Sequence, residues 1–305
     1  MESNAQRFGD ASCESTSEGK PSVARVPGWL SRLVGNHRLL LEIFVLANLT
    51  FLAPDIYLAH STNSFRHTAE YLPLWFSMVA PPVLLIAILA LEIRGLETIW
   101  RRLGFLVGGL AAVLGIAGLI LHLDSHFFRE KTLESLVYTA PFAAPLAYTG
   151  IGLLLILNRM VDSQSVEWPL WVLLLSLGGF VGNFIFSLAD HAQNGFYHAS
   201  EWIPVVSSAF AISFLLVPFL VRVNRSYLLV CTWMMILQVV VGITGFVLHN
   251  WANFNGPSPR TLDNFVYGAP PLAPLLFPNL ALLTFLALWT LRRHLPDSAK
   301  TNNSE

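Results

Sequence analysis

Residues 60–73 read HSTNSFRHTAEYLP, and residues 191–204 read HAQNGFYHASEWIP. His60, Asn63, Phe65, His67, Glu70 and Pro73 recur as His191, Asn194, Phe196, His198, Glu201 and Pro204, each at an offset of 131. Tyr71 is matched by Trp202. The shared positions are mostly polar, in a chain that is 54% hydrophobic and 12% charged, so chance is a poor explanation.

Working outward, Gly115, Gly118 and His122 return as Gly242, Gly245 and His249 at an offset of 127. TLESLVYTAPFAAPL (132–146) returns as TLDNFVYGAPPLAPL (261–275) at an offset of 129. Between these motifs lie eight apolar runs, at 39–59, 72–93, 103–123, 136–158, 169–190, 203–222, 228–249 and 266–291. A helix needs roughly 20 apolar residues to cross the hydrocarbon core. Backbone in lipid must be paired within its own segment, and the runs do not alternate as barrel strands would.

The expected fold is therefore an all-α integral membrane protein of eight transmembrane helices, a tandem duplication of a four-helix unit. Four helices per unit is an even number, so the halves are parallel and related by a pseudo-two-fold axis along the membrane normal. A fainter repeat divides the chain into four helical hairpins. Glu70, Glu134, Glu201 and Asp263 each start the second helix of a hairpin, and His60, His122, His191 and His249 stand 10 to 14 residues before them. Ala-Pro follows at Ala80-Pro81, Ala144-Pro145 and Ala273-Pro274. The expected organisation is a polar cytoplasmic segment over 1–36, repeats over 37–160 and 167–294, and a cytoplasmic tail over 295–305.

Lys and Arg set the expected orientation. Arg7, Lys20, Arg25, Arg32, Arg38, Arg94, Arg101, Arg102, Arg159, Arg222, Arg225, Arg292, Arg293 and Lys300 fall on one side, against Arg66, Arg129, Lys131 and Arg260 on the other. The positive-inside rule places the first set, and both termini, in the cytoplasm of a cell inner (plasma) membrane. Trp29, Trp100, Trp168 and Trp202 mark span ends as an aromatic belt would. Seven of the nine histidines lie at the opposite, outer ends; only His37 and His294 are inside. The lipid bilayer is the expected partner, and other membrane subunits are left open. A net charge of −1 gives no bulk attraction to nucleic acid. Cys13 and Cys231 suggest neither a disulfide nor a thiolate metal site. Residues 1–24 lack the apolar stretch of a signal peptide.

Imidazole and carboxylate together are ligands for Fe, Cu or Zn. His67 and Glu70 are three residues apart at a helix start, as are His198 and Glu201, and His122 and His126 are four apart. Each pair shares a helix face. The expected ligand set is His60, His67, Glu70, His122, His126, Glu134, His191, His198, Glu201, His249 and Asp263, with Asn63, Asn194, Asp124 and Asp190 orienting them. Capping gives the acids another use. Thr68, Thr132 and Thr261 stand two residues before an acid, as N-caps do, and a first-turn carboxylate suits the helix dipole. Gly115, Gly118, Gly242 and Gly245 serve either close helix packing or a haem face. Apart from Glu42 and Asp55, no span carries an ionisable residue near its centre, which disfavours a charged pathway at depth.

In layout, two fused four-helix halves in 305 residues, the chain resembles haem A synthase. That family's ligand histidines lie in a Glu-x-x-His-Arg-like context that is absent here, so no residue carries over. Three functions are consistent with the sequence. One is an outer-face metal or haem site for redox or cofactor-handling chemistry. Another is a transporter or channel with a His/Glu vestibule and Pro-broken helices. The last is a cofactor-free assembly subunit. None of these names a reaction.

Overall fold

The computed structural model describes residues 35–91, 93 and 95–295. Of the expected 1–36 segment only the last two residues are described, and of the 295–305 tail only the first. Arg94, Cys13 and Trp29 lie outside the described residues.

All regular structure among the described residues is helical. Seven helices are long and apolar enough to cross a membrane. The long helices are α1 (His37–Ser61), α2 (Tyr71–Leu91), α3 (Glu97–Asp124), α7 (Glu167–Gln193), α8 (Trp202–Leu220), α9 (Arg225–Phe254) and α11 (Leu276–His294). Between α3 and α7 lie α4 (Phe127–Glu130), α5 (Leu133–Val137) and α6 (Leu146–Met160). The seven-residue α10 (Thr261–Tyr267) precedes α11. Local chemistry sets several starts. Asn36 accepts from Leu39 N–H at 3.1 Å, and Asn224 accepts from Tyr227 N–H at 2.9 Å. Each side chain satisfies a donor that the first helical turn cannot. Of the three threonines expected to cap, only Thr132 does so, accepting from Ser135 N–H at 3.0 Å.

The run expected to span over 136–158 is interrupted. Pro141 cannot donate to a helix ladder, and Pro145 suits only a helix start. The chain leaves helix over 138–145 and resumes as α6, 15 residues long, or about 22 Å at 1.5 Å per residue. A matching break lies between α10 and the short turn Ala273–Leu275 that leads into α11. Backbone freed in this way needs partners if it sits in an apolar layer. They come from the ends of α3 and α9. Ser125 Oγ accepts from Ala140 N–H at 3.1 Å, and Asn253 Nδ2 donates to Ala269 O at 2.7 Å.

The long helices pack as two four-helix sets. α1 lies on α2, α2 on α3, α3 on α6, and α6 on α1; α7, α8, α9 and α11 close in the same way. The sets meet along α6–α7 and α1–α11, while α5 leans on α7 and α10 on α1. In the first set α3 and α6 approach backbone to backbone at Gly108 and Gly152. A Cβ on Gly152 would lie 2.7 Å from Ala112 N, closer than real Cβ contacts allow. Gly152→Val should therefore destabilise the protein by about 1–3 kcal/mol, since neither backbone can give way. Denaturant titration in mixed micelles would measure this, and an unchanged midpoint would refute the close-packing account. Gly115, Gly118, Gly242 and Gly245 face Pro145, Thr149, Pro274 and Phe277. Their absent side chains thus admit a neighbouring helix, and a haem face is not what they form.

The opposite end of the bundle holds a buried ionic cluster. The Arg159 guanidinium forks onto Glu42, with Nη2 to Oε2 at 3.0 Å, and both side chains are fully buried. Asn158 Nδ2 donates to Glu42 Oε1 at 2.7 Å, and Trp168 Nε1 donates to Asn158 Oδ1 at 3.2 Å. Arg159 also lies over the Trp100 ring, 4.5 Å from its centroid. Gly104 leaves the space that the guanidinium fills. Arg159, a loop cation by sequence, is thus a core residue.

Candidate functional site

The 60–73 loop folds around its histidine and its acid. α1 ends with Phe65 N–H donating to His60 O at 3.1 Å, and Ser64 and Phe65 hold φ of 57° and 51°. The left-handed region is costly for a bulky side chain and persists only where the surroundings enforce it. Here the Phe65 ring stacks on Tyr71 at 4.7 Å and lies 5.8 Å from the His60 ring. The 191–204 loop has the same features. Gly195 and Phe196 have φ of 69° and 52°, Phe196 N–H donates to His191 O at 3.0 Å, and Phe196 stacks on Trp202 at 3.9 Å.

The turn brings each acid back under the histidine that ends the preceding helix. His60 Nδ1 is 3.4 Å from Glu70 Oε2, and His191 Nδ1 is 3.5 Å from Glu201 Oε2. The other oxygen of each acid caps its own helix, accepting from His67 N–H and His198 N–H at 3.3 Å. Asn63 Nδ2 adds a bond to Glu70 Oε1 at 3.0 Å; no corresponding bond from Asn194 is found among the described residues. His67 and His198 are thus cap residues, which displaces the cap expected at Thr68 by one position. Both are exposed.

A second histidine completes each cluster. His122, near the end of α3, stands with its ring centroid 6.1 Å from that of His60, the planes at 75°. His249, near the end of α9, stands 6.3 Å from His191 at 88°. His122 Nδ1 donates to Pro141 O at 2.9 Å, and His249 Nδ1 donates to Pro270 O at 2.8 Å. A carbonyl can only accept, so in both rings Nδ1 carries the proton and, when the ring is neutral, Nε2 holds a lone pair. The proline breaks thus have a chemical role, because each exposes a carbonyl that orients an imidazole. Sequence marks Pro141 and Pro270 as helix breakers, but not as acceptors.

The remaining expected ligands lie elsewhere. His126 Nε2 pairs with Glu130 Oε2 at 3.8 Å, one turn along, and the two side chains are 42% and 54% exposed. Glu134 and Asp124 are exposed. Asp263 Oδ2 accepts from Ser258 Oγ at 3.3 Å. Asp190 is within Coulombic range of His191, His249 and Glu201, while its counterpart in the other cluster is Ala59. Among the described residues, no group of three or more His, Cys, Asp or Glu side chains could hold a metal ion by itself. The expected ligands therefore resolve into two His–Glu–His clusters, and His67, His126, Glu134, His198 and Asp263 fall outside them.

Compared with protein-family models, curated proteins and solved structures, the chain finds no match.

Proposed function

We propose that this chain is an eight-span, tandemly duplicated integral membrane protein. In this reading its two outer histidine pairs, His60/His122 and His191/His249, each ligate one metal centre, either a bare transition-metal ion or a haem iron. The duplication draws support from burial. Leu41, Glu42, Val45, Leu49 and Ile56 of α1 are buried. At the offset of 131 their partners on α7 are Val172, Leu173, Ser176, Phe180 and Ser187, and these are buried too. The same recurrence holds for Gly104, Gly108, Ala111 and Gly115 of α3 against Cys231, Met235, Gln238 and Gly242 of α9, at an offset of 127. It holds again for Tyr148, Gly152, Leu154 and Leu155 of α6 against Phe277, Ala281, Leu283 and Thr284 of α11, at 129.

The Lys and Arg bias supports an orientation with both termini in the cytoplasm and the histidine clusters outside. Impermeant thiol labelling of intact cells checks this. Ser64→Cys should be labelled and Asn224→Cys should not, and the reverse pattern would overturn the orientation.

The observation that carries the metal reading is the surroundings of the four rings. Nδ1 of His122 and of His249 is hydrogen-bonded to the Pro141 and Pro270 carbonyls, while Nδ1 of His60 and of His191 stands 3.4 and 3.5 Å from the Glu70 and Glu201 carboxylates. A carbonyl at Nδ1 fixes the tautomer of a metal-binding histidine and leaves Nε2 free, and a carboxylate beside the ring favours its binding. The two rings of each pair have centroids 6.1 and 6.3 Å apart, and His60 with His122, and His191 with His249, are the residues that would hold the centre. Two protein ligands without a third suit a centre whose other ligands come from a porphyrin or from solvent. Purified protein should show a Soret band if the centre is haem. If it is a bare ion, the protein should carry up to two equivalents of Fe, Cu or Zn without that band. Absence of both signals would refute the metal reading and favour a transporter. The interrupted helices at 138–145 and 268–272 speak for that second reading, since discontinuous helices line many substrate sites.

A further inference from the structure

The interior of the second helix set carries a run of buried polar side chains below its histidine cluster. On α7, Ser176, Asn183 and Ser187 are buried, and their spacing keeps them on one face with His191. α8 contributes buried Ser207 and Ser208, α9 Gln238 and α11 Thr284. The Ser176 and Thr284 hydroxyls bond to each other, and Gln238 Nε2 donates to Ser207 O at 3.0 Å. At the corresponding positions the first set carries Val45, Leu52, Ile56, Phe76, Ser77, Ala111 and Leu155, and its own polar groups at this depth include Asp55 and Tyr148, where the second set has Phe186 and Phe277.

Hydroxyls in a helix can bond to their own backbone, as Ser208 does to Pro204 O at 2.8 Å, so serines by themselves imply little. The amides are different. Asn183 is 4% exposed, yet neither its Nδ2 nor its Oδ1 has a partner among the described residues. Gln238 is fully buried, and its Oε1 is also unpartnered. Buried polar groups that protein does not satisfy are satisfied by water. Asn183 lies eight residues below His191 and Gln238 eleven below His249, about 12 and 16 Å along their helices.

We infer that the second set encloses a hydrated column, entered at the His191–Glu201–His249 cluster and reaching past Asn183 to Gln238. The column gives the second histidine site a water path from within the bundle. The column does not rest on the duplication reading, and its test is independent of any metal.

In full-length protein in lipid vesicles, carrying Cys13→Ser and Cys231→Ala, single cysteines probe the column with methanethiosulfonate ethylammonium. Asn183→Cys and Ser187→Cys should react roughly tenfold or more faster than Leu173→Cys and Leu215→Cys, which are fully buried among apolar side chains, since reaction needs a solvated thiol. Equal rates would overturn the inference. Water radiolysis of the unsubstituted chain is a second measurement that removes no polar group. Met234, whose sulfur is 3.7 Å from Gln238 Nε2, should be oxidised, whereas Met78, exposed on the outside of the bundle, should not. Met234 as inert as Met78 would also overturn it.

Discussion

Arg159→Leu alone should destabilise the protein by about 3–5 kcal/mol, because it leaves Glu42 charged and buried without its partner. Glu42 is fully buried, and Asn158 is its other polar neighbour. Glu42→Leu alone should cost a similar amount by stranding the guanidinium. The triple change Glu42→Leu/Asn158→Ala/Arg159→Leu should recover most of the loss. It reproduces Leu173, Ala287 and Leu288, which are buried at the corresponding positions of the other set. Replacing a whole buried ionic cluster by packed apolar residues is often neutral or stabilising, whereas breaking it halfway is not. Reversible unfolding in mixed micelles measures all three. Harmless single changes, or a triple as damaging as either single, would show that the cluster is not held together as the geometry indicates.

The second large effect concerns the histidines. His122→Ala and His249→Ala should each remove one centre and together remove all bound metal or haem, while costing only about 1 kcal/mol of stability apiece through the lost carbonyl bond. Glu70→Gln is the sharper variant. Gln can still cap the helix through its oxygen, so folding should be preserved. Loss of the charge facing His60 Nδ1 should nonetheless weaken metal binding by about 10–100-fold, as for other groups that orient a ligand histidine. Unchanged loading of the first centre in Glu70→Gln would mean that the carboxylate serves the helix cap alone. Undiminished loading in the double histidine variant would place any metal elsewhere.

The apolar runs and the recurrence of HxxNxFxHxxE[YW]xP are enough to read helices, their approximate ends and the repeated motif. Those features follow from local composition and from backbone that must be paired internally. The same motif holds His60, Glu70, His191 and Glu201, but it cannot say which histidine meets the acid. Spacing along a helix favours His67 and His198. The structure instead pairs Glu70 with His60, because the left-handed turn at Ser64 and Phe65 folds the loop back so that residues ten apart face each other. By sequence Arg159 belongs with the loop cations, because it follows an apolar run. Only the packing of α1, α3 and α6 shows that Gly104 opens a space for it beside Glu42. Pro141 and Pro270 announce breaks, yet the use of their carbonyls depends on where α3 and α9 end in space. Sequence by itself determined what was apolar, what was helical and which motifs recur, because these are short-range properties of the chain. Tertiary structure alone decided which polar groups converge, because a hydrogen bond or ion pair depends on ångström-scale positions set by helices distant in sequence.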